Sequence, residues 1–283
     1  MQLPRLFNYQ SSAEQRFQSA ADRRSGRFPS TLAVLRTLCG ALLLVPALVG
    51  GPTIAQETNP QSFKLIELYT SHGCSSCPPA DRLLGELLEQ DEELLALEFH
   101  VDYWNALVHG KDGSFTDPFS KASYSSRQRQ YNAASLAGRP GVYTPQAVIN
   151  GRFAAVGSNL MHVNKALSRV NEAALNIQIE QDSDAAKLLV TVSGDAAQLD
   201  VLRGTDIQLA RYLDRTVTNV TGGENRNKTL VNHHVVTELD TLGEVAASGQ
   251  MRFTIARPAD TEGCVILIQE AALTPIYAAS ACP

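Results

Sequence analysis

Apolar residues run in a block from Lys64 to Thr70 (KLIELYT), recur at helical spacing at Leu83, Leu84, Leu87 and Leu88, then alternate at Leu95, Leu97, Phe99 and Val101. The first and last patterns predict strands and the middle one an amphipathic helix. Together they make a βαβ unit, whose crossover is right-handed in nearly all cases. Asp102 to Ser120 is rich in Asp, Gly, Pro and aromatic residues and reads as a long loop. Loops of that length inside a domain are often functional. Ala122 to Ala137 carries good helix formers with Gly138 as a stop, which predicts an exposed helix with Arg127 and Arg129 as solvated surface charges. A strand then follows Pro145, Asn150-Gly151 is a hairpin turn signal, and Arg152 to Val156 returns. Ser158 is the expected cap of a helix through about Ala174, with Leu160, Val163, Leu167 and Val170 on one face.

From Ile177 the pattern turns to β, with runs at 177–179, 187–192, 206–220, 233–239, 252–256 and 264–269 separated by turn residues. Regular short strands of this kind predict a small sandwich or an antiparallel extension packed on the first half. The expected division is therefore an α/β part over 63–175 and a β-rich part over 176–283.

The N-terminus has a different composition. Residues 1–30 are polar and arginine-bearing, and they lead into the apolar Leu38 to Gly50 and the small-residue sequence Thr53-Ile54-Ala55. That order predicts a secretory signal peptide over 1–55 with a polar leader over 56–62, and hence an exported, periplasmic or secreted protein with no membrane span once the segment is cut. Of 283 residues, 24 are Lys or Arg and 29 Asp or Glu; without residues 1–55 the formal charge falls from −5 to −9. So acidic a chain has no global attraction for nucleic acid. Cys39 leaves with the leader, and Cys74, Cys77, Cys264 and Cys282 remain. With Cys74 and Cys77 as one pair, Cys264 with Cys282 is the remaining intramolecular bridge, a staple for the C-terminal segment.

The chemistry concentrates at Tyr69 to Arg82 (YTSHGCSSCPPADR), between the first strand and its helix. Cys74 lies near a helix N-terminus, where unpaired N–H groups and the helix dipole favour its thiolate. Cys77 comes one turn later on the same face, close enough to close a disulfide. Pro78 and Pro79 fall in the first turn, where an N–H has no helical acceptor. His72 and Arg82 are candidate modulators of the thiolate.

The order of strand, Cys-X-X-Cys helix, strand, inserted loop and helix, Thr-Pro strand, Asn-Gly turn, strand and helix resembles the thioredoxin fold. The resemblance implies a cis-proline at Pro145 facing the cysteines, and a Thr144 backbone that pairs with an extended substrate. It also implies a buried acid beneath the cysteines, matched loosely by Glu67, which stands one residue further from Cys74 than in thioredoxins. More narrowly, LIELYTSHGCSSCPPADRLLGEL, FHVDYW, GVYTPQAVINGR and VGS are similar to the exported family known as domain of unknown function 1223, from about Phe63 onward.

Three functions fit these residues. The first is thiol-disulfide exchange with protein or small-molecule thiols, with Cys74 attacking, Cys77 resolving, and no cofactor beyond the redox-active pair. The second is Cu(I) handling by the same cysteines with His72, His100 or His234. The third is a non-catalytic binding protein that uses Tyr103, Trp104, Phe115 and Phe119 as an apolar surface. A structural zinc site lacks four suitably spaced ligands, and no other metal site is expected.

Overall fold

The computed structural model describes residues 62–283 apart from 108, 111–112, 170 and 271–272. The expected signal peptide and all of the leader but Ser62 lie outside the described residues. Among these, no helix is long and apolar enough to cross a membrane.

The chain is mixed α/β, with few helices and one large mixed sheet. In order, the elements are β1 (Ser62–Thr70), α1 (Pro78–Gln90), β2 (Leu94–His100), α2 (Tyr103–Leu107), β3 (His109–Gly110), β4 (Gly113–Ser114), α3 (Ala122–Ala133), β5 (Ala137–Gly138), β6 (Gln146–Ile149), β7 (Phe153–Val156), α4 (Leu160–Leu167) and β8 (Asn171–Glu172). The second half contributes β9 (Asn176–Gln181), β10 (Lys187–Ser193), α5 (Ala196–Val201), β11 (Asp206–Asn219), β12 (Thr229–Glu244), β13 (Met251–Ala256), β14 (Glu262–Gln269) and β15 (Ile276–Ala281).

β1 and β2 are parallel neighbours, as a strand–helix–strand crossover requires, and β6 and β7 extend the sheet antiparallel on the far side of β1. Asn150 and Gly151 both have positive φ (50° and 62°), the geometry of a two-residue type I′ hairpin. On the other side β2 pairs in parallel with β12 at Val235 and Glu98, and the order from edge to edge is β15-β14-β11-β12-β2-β1-β6-β7-β5. Strands of the β-rich half thus continue the sheet of the first half.

Alternation along the strands divides the interior. On β1, Leu65 and Tyr69 face one core with α3, whereas Ile66 and Leu68 face another under α1 and α4. On β14, Val265 and Leu267 join the α3 side, while Cys264, Ile266 and Ile268 pack against Leu188, Val190 and Val192 of the small sheet β13-β10-β9. The second half is therefore a two-layer β packing on one end of the shared sheet. α1 runs so close to β12 that a Cβ on Gly85 would meet the His233 ring at 2.8 Å. The Cys264–Cys282 bridge is formed, with Cα atoms 5.2 Å apart, and fastens the C-terminal segment to β14.

Two helices differ from expectation. α4 is capped by Asn159, whose side chain accepts from the His162 N–H, and it ends at Leu167 rather than near Ala174. α3 stops at Ala133, ahead of Ser135 in the left-handed region, and Gly138 sits in β5 instead. Its Arg127 is not a surface charge: with Tyr124, Ser125, Gln128 and Tyr131 it is buried against the sheet.

Candidate functional site

After Thr70 the chain turns, with the Cys74 N–H donating to the Ser71 carbonyl and the Cys77 N–H to the Cys74 carbonyl. α1 then opens with Cys77 as its cap and Pro78 and Pro79 in its first positions. Both cysteines are buried and unbonded, and between them Ser75 and Ser76 are exposed. Thr144–Pro145 is a cis peptide and Thr144 reaches Cys74 directly: its hydroxyl lies 3.3 Å from Sγ. Trp104 Nε1 donates to that hydroxyl oxygen at 2.7 Å, which leaves the hydroxyl proton free to point at sulfur. Ser76 Oγ lies 3.2 Å from Sγ on the other side.

These contacts separate the two thiols. A hydrogen bond from Cys77, with further ones from Ser76 and Thr144, brings Cys74 down to about 6 against the opposing effect of burial. Burial pushes Cys77 well up, and the neighbouring Cys74 and the charge of Asp81 add to it. Cys74 is therefore the thiolate at neutral pH and Cys77 the thiol. Alkylation of Cys74 by iodoacetamide should accordingly hold steady above pH 7 and fall tenfold per unit below pH 6, whereas in the unfolded chain it falls from about pH 8.5. Thr144→Val should move the folded inflection up by about one unit, since a hydrogen bond to a charged group contributes about 1.5–3 kcal/mol. Quenched-flow alkylation read by peptide mass checks both.

Beneath the cysteines lies a set of buried polar groups. Asp81, four residues after Cys77 on the same face of α1, accepts from Thr70 Oγ1 at 2.7 Å, and burial followed by the charge of Glu98 raises it well above the carboxylate range. Next to it His72, Asn232, Glu98, His100 and Asp117 close a ring. His72 Nε2 meets Asn232 Oδ1 at 2.8 Å, Asn232 Nδ2 donates to Glu98 at 2.5 Å, and His100 lies 3.2 Å from Glu98 and 2.8 Å from Asp117. The circuit ends with His72 Nδ1 at 3.6 Å from Asp117. Because the Asn232 amide donates to Glu98, its oxygen faces His72, which fixes the proton on Nε2. Burial opposes a charge on His100, but Asp117 and Glu98 overcome it and hold the imidazolium to about 10. Burial and the adjacent His100 lower His72, which stays neutral.

Among the described residues His72, His100 and Asp117 form a cluster with candidate metal-ligand atoms within 4.8 Å of one another, and neither cysteine belongs to it. Asp117 Oδ2 already accepts from the His72 N–H at 2.7 Å and from His100 Nδ1, while Oδ1 accepts from the Phe119 N–H. The cluster acts as a hydrogen-bonded anchor for the Cys-X-X-Cys turn. The β11–β12 loop straps the same turn from outside: Asn225 Nδ2 donates to the carbonyls of His72 and Cys74 at 2.9 and 2.8 Å, and Glu224 accepts from the Ser75 N–H at 2.9 Å.

The structure thus brings Cys74, Cys77, Thr144 and Pro145 together and sets other sequence candidates apart. Glu67 shares the β1 face of Leu65 and Tyr69, opposite α1, and its Oε1 takes Arg127 Nε and Nη2 at 2.9 and 2.7 Å. The acid beneath the cysteines is Asp81. Arg82 is exposed, and neither it nor His72 is among the groups that hold the Cys74 thiolate. His234 stacks on Tyr212 at 4.3 Å, away from the turn. Phe119 packs edge-on against His72 and His100, and Phe115 against Val220 and Leu230, whereas Trp104 and Tyr103 both reach Thr144, the Tyr103 hydroxyl also donating to Gln128 Oε1 at 3.2 Å. Sequence reasoning missed Asp81, Glu98, Asp117, Asn225 and Asn232. Only Asp81 carried a local signal, its i+4 spacing from Cys77.

Fold and site define a mixed α/β protein with an unbonded, asymmetric Cys-X-X-Cys pair at a strand-to-helix turn. The chain belongs to the family described as Protein of unknown function (DUF1223), whose profile matches residues 65–269. It is similar to the crystal structure of protein AGR_C_4864 from Agrobacterium tumefaciens, at 26% identity and a TM-score of 0.59 over 78% of this chain and 95% of that one. It is also similar in fold to HBP35 of Porphyromonas gingivalis, at 14% identity and a TM-score of 0.52 over 79% of this chain and 75% of that one. No curated protein matches the chain.

Proposed function

We propose that this chain is an exported thiol-disulfide oxidoreductase of thioredoxin-like architecture. The observation that carries the reading is the opposed state of the two thiols, Cys74 drawn down to about 6 and Cys77 pushed up, with the Thr144 hydroxyl 3.3 Å from Cys74 Sγ. The β1-α1-β2 unit followed by the β6–β7 hairpin and α4 supports the architecture. The N-terminal pattern of basic, apolar and small residues supports export.

In this reading the Cys74 thiolate attacks one sulfur of a substrate disulfide, forms a mixed disulfide and expels the other sulfur as a thiolate. Cys77 then gives its proton to the buried carboxylate of Asp81, through or beside the Thr70 hydroxyl, and attacks Cys74 Sγ. The second substrate thiolate leaves, the substrate is reduced by two electrons, and the pair is oxidised to a Cys74–Cys77 disulfide. Oxidation of a dithiol is the same sequence in reverse. An extended peptide would lie along the Thr144 backbone, whose side chain already contacts sulfur.

The test is a redox titration of the protein against glutathione or dithiothreitol, with Cys74 and Cys77 alkylation read by peptide mass. A reversible midpoint within about −120 to −270 mV is expected, the range of known oxidoreductases. A pair that stays oxidised below about −300 mV is a structural bridge and overturns the proposal.

A further inference from the structure

α4 carries a second feature unconnected with the cysteines. His162, Lys165, Ala166 and Arg169 follow one another at i, i+3, i+4 and i+7, which aligns them on one face of the helix and the turn that prolongs it. That face looks across a cleft of about 650 Å³ toward Arg139, which follows the short edge strand β5, and the cleft floor is β7 from Phe153 to Val156.

The composition of this cleft is unusual for the molecule. The chain is acidic overall, yet every charged side chain lining the cleft is basic. Among the described residues Arg139, Lys165 and Arg169 have no carboxylate partner. Two of the cations are held by neighbouring rings: Arg139 lies 4.5 Å from the Tyr143 centroid and Arg169 4.6 Å from that of Phe153. A guanidinium stacked on a ring keeps its in-plane N–H donors free for a ligand. An apolar floor with unpaired cations at its rim suits a ligand that is apolar along its body and negative at one end, and the volume falls within the usual range for small-molecule sites.

We infer that the α4–β7 cleft is a binding site for an amphiphilic monoanion, an acyl or aromatic body that ends in a carboxylate or sulfonate. The apolar body covers Phe153 to Val156 and the anionic end is held by Lys165 and Arg169 from one wall and Arg139 from the other. The site is independent of thiol exchange, because neither cysteine nor any residue of the turn borders it.

The probes are laurate followed by calorimetry and 8-anilino-1-naphthalenesulfonate followed by fluorescence, each displaced by the other, on the full chain at 50 and 500 mM NaCl. Saturable one-site binding is expected, about tenfold weaker at high salt because exposed charges are screened. The double variant Lys165→Glu/Arg169→Glu should weaken binding at least tenfold, while Arg203→Glu/Arg215→Glu, which changes charge equally elsewhere, should leave it unchanged. Uncharged methyl laurate should fail to displace the dye. If it competes as well as laurate, or if both double variants bind alike, the cleft is only an apolar patch and the inference falls. Absence of saturable binding to the wild type also overturns it. Should Lys165→Glu/Arg169→Glu fail to fold, the milder Lys165→Gln/Arg169→Gln and the wild-type salt dependence decide. Binding should persist in Cys74→Ser, so this result stands or falls apart from the redox reading.

Discussion

Arg127→Met should destabilise the protein by about 3–5 kcal/mol, the cost of leaving one partner of a buried ion pair without the other. Arg127 is 5% exposed and Glu67 fully buried. The guanidinium is shared by three elements: it donates twice to Glu67 on β1, to Gln269 on β14 at 2.6 Å and to the Tyr131 hydroxyl one turn along α3. It also lies 5.7 and 5.3 Å from the Phe99 and Tyr131 ring centroids. Met fills the stem volume but leaves the Glu67 carboxylate uncompensated in an aromatic core. Urea denaturation at pH 7 reads the loss. The double variant Glu67→Leu/Arg127→Met should recover most of it, since removing both charges leaves no orphan. A single-variant loss below about 1 kcal/mol is the value for a solvated surface pair and would contradict the burial described here.

The same arginine shows where the sequence stops being legible. α3 reads as polar on every side, and a hydrophobicity pattern therefore assigns it to solvent. Its inward face is nonetheless polar because each buried group has a partner: Arg127 has Glu67, and Gln128 has the Tyr143 carbonyl and Gln146. Those partners lie 15 to 60 residues away, and nothing in the local pattern announces them. The strands and the Cys-X-X-Cys turn were legible for the opposite reason. Their signals are local: alternation along β2, an Asn-Gly pair at a hairpin, prolines at the start of a helix. The strap from Asn225 and the ring through Asn232 depend on β12 lying beside β2, a pairing of Val235 with Glu98 that no adjacent residues encode. The turn's chemistry could thus be read in outline from its own residues, while its anchoring comes from a half of the chain that looked separate.

Cys74→Ser should reduce disulfide exchange to the uncatalysed level, and Cys77→Ser should stop it one step later. With Cys74 at about 6, about nine-tenths of it is thiolate at pH 7, against a few per cent for a free cysteine. A serine hydroxyl is not ionised there, so the first attack has no nucleophile. In Cys77→Ser the attacking sulfur remains, and incubation with a disulfide such as oxidised glutathione should leave a stable adduct on Cys74, seen as one glutathione added to its peptide. Because the attacking form is the Cys74 thiolate, the trapped adduct should form more slowly at pH 6 than at pH 8. Asp81→Asn separates the roles further. The first attack should proceed at the normal rate, while the mixed disulfide lingers near neutral pH and resolves faster as pH rises and Cys77 loses its proton to solvent. A uniform slowing of both steps, with no change in pH profile, would make Asp81 a packing group. Exchange that survives Cys74→Ser would place the chemistry elsewhere and remove the basis of the proposed function.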